Sequence, residues 1–288
     1  MDMLRVLLIL IFFTQPVFAS EHTYLPSDIT ENSEKILGGI ESKAGDWPWM
    51  TAILYANQAD LYNAQFCAGV LIQDTWILTA AHCVSGQTAS AINVAVGIYD
   101  LDNFSGSRIS VKNIRIHPQY NSTTSQNDIA LLELSQASSL PTLPLYSGKS
   151  DILGVMLTAI GWGMADGTTY WYYPAKLRQV DLPVVADSYC NNIYTPDLIS
   201  SQLCAGYYEG KDVCNGDSGG PVVAKMNGVW VHVGLVSYGK TCENYLGWYG
   251  VYTRTSAYVN FVKQYVPDVS VYPQAISIPG LNMLLLKE

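Results

Sequence analysis

From Ile36 to Val266 the apolar residues come in short runs, and turn-forming residues end each run. Val70-Leu71-Ile72, Trp76-Ile77-Leu78, Ile92 to Val96, Ile129 to Leu134, Val155 to Ile160, Val222-Val223 and Val229 to Val236 are separated by Gly, Asn, Asp, Pro and Ser. Runs this short fit strands better than amphipathic helices. The pattern predicts an all-β fold of one or two barrels or sandwiches. One helix is expected, over Ser256 to Val266. There Ser256 would cap, Val259, Val262 and Val266 share a face, and Pro267 stops the helix.

The 288 residues suffice for one two-lobed domain or two small ones. With 49% apolar and 14% charged residues, most of the chain can bury a core and disorder is disfavoured. The net charge is -9 and no basic cluster occurs, so nothing would neutralise phosphates and a nucleic-acid partner is disfavoured.

The two ends read differently from the middle. Arg5, the apolar run Val6 to Phe13 and the small residues around Ala19 predict a signal peptide over 1–19. The run is too short to anchor the chain in a bilayer, which needs about 20 residues. Residues 20–35 are polar, acidic and aperiodic, as a propeptide would be. Residues 267–288 form an extension, expected to be a strand or tail on the surface. An exported chain can form disulfides. The six cysteines, Cys67, Cys83, Cys190, Cys204, Cys214 and Cys242, allow 15 pairings on sequence alone. With no C-x-x-C pair, a zinc site is disfavoured.

Three segments carry chemistry. Gly216-Asp217-Ser218-Gly219-Gly220-Pro221 sets a serine in a glycine-rich turn. Serine is a weak nucleophile that needs a base and an oxyanion site. Thr79-Ala80-Ala81-His82-Cys83 supplies the base, since imidazole exchanges protons near neutral pH. Of the other histidines, His22 falls in the propeptide, His117 precedes a proline and His232 sits in a strand. Asn127-Asp128-Ile129 places an acid at the head of an apolar strand, where burial demands a partner such as imidazole.

Together these segments resemble the chymotrypsin/trypsin family of serine peptidases. The resemblance runs from Ile36 to about Val266. It includes Ile36-Leu37-Gly38-Gly39, Trp47-Pro48-Trp49, Cys67 to Ile72 and Gly161-Trp162-Gly163. The order His, Asp, Ser separates it from other folds with the same triad. The resemblance implies two six-stranded antiparallel β-barrels with the site between them. It implies Ser218 as nucleophile, His82 as acid–base, Asp128 as its orienter, and the N–H groups of Gly216 and Ser218 as oxyanion hole. It pairs Cys67 with Cys83, Cys190 with Cys204 and Cys214 with Cys242.

The resemblance also implies specificity and activation. Asp212 falls at the base of the primary pocket, with Gly239 and Gly250 on its walls and Ser237 and Tyr238 along the substrate. Arg or Lys is the expected residue, and Val213, where a serine is common, favours Arg. Cleavage of Lys35–Ile36, by a trypsin-like protease or by the chain itself, would free an ammonium that pairs with Asp217. The family's calcium loop maps to Ile98 to Arg108, where both carboxylate positions are lost, so no metal or other cofactor is expected. The expected partners are peptide or protein substrates, the activator and protein inhibitors, for a secreted monomer. Two rival readings are a dead homologue that binds a partner, which the intact triad disfavours, and a simple esterase, which Asp212 disfavours.

Overall fold

The computed structural model describes residues 39–148, 152–166, 171–208, 212–240 and 249–272. The expected signal peptide, propeptide, Lys35–Ile36 bond, Cys242 and the end of the tail lie outside them.

Each predicted run falls within a strand, give or take one residue at an end. Among the strands of four or more residues, the first six are β1 (Met50–Tyr55), β2 (Gln65–Gln73), β3 (Trp76–Thr79), β4 (Ile92–Val96), β5 (Arg108–Ile116) and β6 (Ala130–Leu134). They close a barrel in the order β1-β2-β3-β6-β5-β4. The next six are β7 (Met156–Gly161), β8 (Arg178–Pro183), β9 (Gln202–Ala205), β10 (Pro221–Met226), β11 (Val229–Tyr238) and β12 (Gly250–Arg254). Their order is β8-β7-β10-β11-β12-β9, and a bridge between Val184 and Ala205 joins the two ends. The chain is thus two six-stranded antiparallel units.

Period two explains one strand that the short runs did not mark. In β8, Arg178, Val180 and Leu182 are buried while Gln179, Asp181 and Pro183 are less so. Strand β2 instead is buried through its centre on both faces, since one face meets the second barrel. There the Ala68 N–H donates to the Ser218 carbonyl at 2.8 Å. Trp47 straps the first residues to the second barrel. Its Nε1 donates to Gln179 Oε1 at 3.0 Å, and its ring meets Trp230 edge-on at 5.0 Å.

Four short helices occur among the described residues: α1 (Leu61–Ala64), α2 (Ala81–Val84), α3 (Asp187–Asn191) and α4 (Val259–Tyr265). The terminal helix starts three residues later than expected, and Ser256 does not cap it. Residues Thr255–Ala257 form a 3-10 turn instead, because buried Thr255 hydrogen-bonds His232 Nδ1 at 2.8 Å. Val262 and Val266 are buried and Val259 packs beside them, as the periodicity required. Past the helix, Val271–Tyr272 adds a parallel strand beside Leu145–Tyr146, so the extension begins as a packed strand. No helix of the described residues is long and apolar enough to cross a membrane.

Candidate active site

His82 is the second residue of α2, the single turn that follows β3. Asp128 stands two residues before β6. Both strands pair in the first barrel, so the two side chains meet. His82 Nδ1 lies 2.8 Å from Asp128 Oδ2, and the His82 backbone N–H donates to Oδ1 at 2.8 Å. A carboxylate can only accept, so Nδ1 carries a proton, and in the neutral imidazole Nε2 is then the nitrogen with the lone pair. Asp128 is 1% exposed, and burial at that depth is tolerable only when the acid is fully bonded. Ser237 Oγ completes the set, donating to Oδ2 at 2.6 Å, and Thr253 Oγ1 donates to the Asp128 carbonyl at 2.8 Å. Sequence reasoning placed Ser237 with the substrate and missed its bond to Asp128. Thr253 was missed too, since nothing marks either hydroxyl locally.

Ser218 sits in the turn that leads into β10 and lines one cleft of about 630 Å³ with His82 and Gly216. No hydrogen bond joins Ser218 to His82 among the described residues, and such contacts commonly tighten when substrate arrives. Gly216 has φ +101°, and a side chain there would press on the Gly163 backbone at 3.0 Å. The N–H groups of Gly216 and Ser218 donate to no backbone acceptor among the described residues. Both are therefore free to hold a negative oxygen. Gln65 Nε2 donates to the Gly216 carbonyl at 3.0 Å, a contact sequence reasoning missed.

Asp217 points away from the cleft. It is 1% exposed and accepts from Gly163 N–H at 2.7 Å and Cys214 N–H at 2.9 Å. A Cβ on Gly163 would lie 2.2 Å from its carboxylate, so the Gly161-Trp162-Gly163 segment is built around this acid. Burial pushes its pKa up to about 6, partly offset by the two N–H donors. No cation meets it among the described residues, and Ile36 lies outside them.

Asp212 is partly buried. Burial pushes its pKa up to about 7, Val213 N–H counters this at 2.7 Å, and the Asp217 charge adds to it. Near it is Tyr252, whose buried hydroxyl has no partner among the described residues. Gly250 leaves room for that ring, since a Cβ there would lie 2.7 Å from Tyr252 Oη. An added Cβ at Gly239 meets nothing within 4 Å among the described residues. Tyr238 packs edge-on against Tyr194 at 5.3 Å and accepts from Gln202 at 3.3 Å. Tyr249 is buried, and its carbonyl accepts from Tyr194 Oη at 2.7 Å.

The remaining described histidines are structural. His232 is fully buried and burial holds its pKa down at about 3. His117 packs against Phe261 at 4.8 Å. In the loop expected to lose calcium, Ile98 is buried and Arg108 binds carbonyl groups. Asp100 is occupied by Asp102 N–H and Asn103 Nδ2, each at 3.0 Å. Cys67 and Cys83 cluster with His82, but they share a disulfide and offer no thiolate to a metal. A second disulfide joins Cys190 to Cys204. Closing loops of 16 and 14 residues, each bridge is worth about 3 kcal/mol at most. Cys214 is disulfide-bonded as well.

The comparisons agree with this architecture. The family model described as Trypsin matches residues 36–262. The chain is 34% identical to vitamin K-dependent protein C of Mus musculus, over 85% of this chain and 54% of that protein. It is also 34% identical to tryptase of Mus musculus, over 81% of this chain and 89% of that protein. It spans about half the length of the protein C relatives. With its two barrels, its His82–Asp128 pair and this match, the chain belongs to the trypsin family of serine peptidases.

Proposed function

We propose that the chain is a secreted serine endopeptidase, made as a zymogen, that cleaves peptide bonds after Arg and less readily after Lys. The observation that carries this reading is buried Asp128 bound to His82 Nδ1 at the mouth of the Ser218 cleft. Ser218 Oγ attacks the carbonyl carbon and its proton passes to His82 Nε2. The oxygen gains negative charge between the Gly216 and Ser218 N–H groups. His82 then gives the proton to the leaving nitrogen as the C–N bond breaks. Water repeats the sequence and frees the acyl group.

Asp212 supports the Arg preference, because an enclosed acid with a raised pKa gains most from a cation. Val213 beside it removes a hydroxyl that would help bind Lys. Asp217 supports the switch. It is a buried acid held only by backbone N–H groups among the described residues, and a freed Ile36 ammonium would complete it. In this reading residues 1–19 are the signal, 20–35 the propeptide, 36–266 the peptidase and 267–288 an extension. The activator is a trypsin-like protease or the chain itself.

Three peptide amides ending in Arg, Lys and Tyr test the reading, assayed before and after cutting at Lys35. Cleavage of the Arg and Lys amides only after the cut, lost in Ser218→Ala, is expected. A cut protein that cleaves none of them contradicts it.

A further inference from the structure

The 630 Å³ cleft beside Ser218 does not reach Asp212, Tyr238 or Gly250 among its lining residues. It opens instead on the flank of His82 and the Cys67–Cys83 disulfide. In the reaction proposed above, His82 protonates the leaving nitrogen, so this flank receives the chain after the cleaved bond. Five aromatic residues line it besides His82: Tyr55, Tyr62, Phe66, Trp162 and Tyr173. Tyr55 and Phe66 stack at 4.3 Å, with 24° between the rings. Tyr62 Oη donates to the Tyr173 carbonyl at 2.8 Å, tying a loop of the first barrel to one of the second. Tyr55 and Tyr173 stay 40% and 46% exposed, an open apolar wall next to reactive groups.

The wall is held in place. Tyr62 lies on α1 in the loop between β1 and β2. Arg108, at the start of β5, donates to the carbonyls of Tyr55 at 2.7 Å and Ala59 at 3.3 Å, and to that of Gln58. It clamps both the start of this loop and the strand end that carries Tyr55.

No Asp, Glu, Lys or Arg lines the cleft among the described residues. A charged side chain entering it would lose water and find no opposite charge. The Tyr62 hydroxyl also feels the negative Asp102 nearby, which adds repulsion for an acid. We propose that this cleft is a subsite for the two residues after the cleaved bond, selecting aromatic side chains and rejecting acidic ones, with Arg108 as a positioning residue for its wall. The proposal rests on the peptidase reading above.

The test uses chain cut at Lys35 and peptides that share one sequence up to Arg. After Arg they carry Phe-Phe, Gly-Gly or Asp-Asp. An Arg anilide, with no residue after the bond, reports whether the peptidase reading holds. The expected kcat/KM falls from Phe-Phe to Gly-Gly to Asp-Asp, with roughly 10- to 100-fold between the extremes. In Tyr62→Ala and Arg108→Met the Phe-Phe to Asp-Asp ratio should shrink several-fold. A ratio is insensitive to the amount of folded enzyme, and the parent series stands without the variants. Anilide cleavage with equal rates on the three peptides overturns the subsite alone. A parent that cleaves neither anilide nor peptides overturns the reading beneath it.

Discussion

Gln65 Nε2 donates to the carbonyl of Gly216 at 3.0 Å, across 151 residues of sequence. The same nitrogen reaches the Cys67 carbonyl at 3.1 Å. Gln65 therefore ties the start of β2, beside the disulfide, to a glycine that lines the cleft. In the proposed reaction the Gly216 N–H matters only once a negative oxygen forms, so its position affects the transition state more than the bound substrate. Gln65→Leu should lower kcat on an Arg amide about tenfold and leave KM within about twofold. Steady-state kinetics of the cut chain decide this. A rise in KM with unchanged kcat would mean that Gln65 serves binding instead.

Ser237 bears on the same machinery from the other side. Its hydroxyl lies 2.6 Å from the oxygen of Asp128 that faces His82 Nδ1. Ser237→Ala removes a donor from a buried acid, at a cost of about 1.5–3 kcal/mol for a charged hydrogen bond. A loss of about tenfold in kcat/KM is expected, together with a lower Tm in a thermal melt. Full activity with an unchanged melt would show that Asp128 has donors enough without it.

Asp212 predicts a pH dependence of cation binding. Its carboxyl titrates at about 7, and an amidinium or guanidinium needs the ionised form. Affinity for benzamidine should be level above about pH 7 and fall as pH drops below it. Calorimetric titration from pH 5 to 9 follows this, and Asp212→Asn should weaken binding at least 100-fold at pH 8. Affinity that does not change with pH in the parent would place the cation elsewhere.

Asp217 predicts the opposite kind of pH effect, on stability. Its folded pKa of about 6 stands above the ordinary 3.8. Below about pH 4 the acid is neutral in both folded and unfolded chains, and its burial is uncharged. As pH rises through about 6 the folded chain must hold a charge, which costs on the order of 3 kcal/mol. The uncut chain should therefore lose stability between pH 4 and 6, and Asp217→Asn should remove that loss. Cutting at Lys35 should also remove it, since a paired ammonium favours the charged form. Urea melts at pH 4 and 7 on both forms measure the difference.

What could be read from the sequence was what short range writes. Apolar runs marked several strands buried on both faces, such as those around Leu71 and Leu131. Half-buried strands such as Arg178–Pro183 were harder, because alternation over six residues competes with turn signals. The start of the terminal helix was misread because Thr255 is captured by His232, 23 residues away. The candidate triad His82, Asp128 and Ser218 was legible from its motifs. Their supports were not, because Ser237, Thr253 and Gln65 reach Asp128 and Gly216 only after both barrels close. The aromatic wall likewise needs Tyr62 and Tyr173 brought together from 111 residues apart.

The central claim is that His82 and Asp128 make Ser218 a nucleophile once Lys35 is cut. An arginine-like phosphonate that traps activated serines tests it most directly, read by mass spectrometry of the digested adduct. One adduct per chain is expected, on Ser218, after cutting, and none in Ser218→Ala or His82→Ala. No adduct on Ser218 in the cut chain, or equal labelling when His82 is removed, would contradict the account.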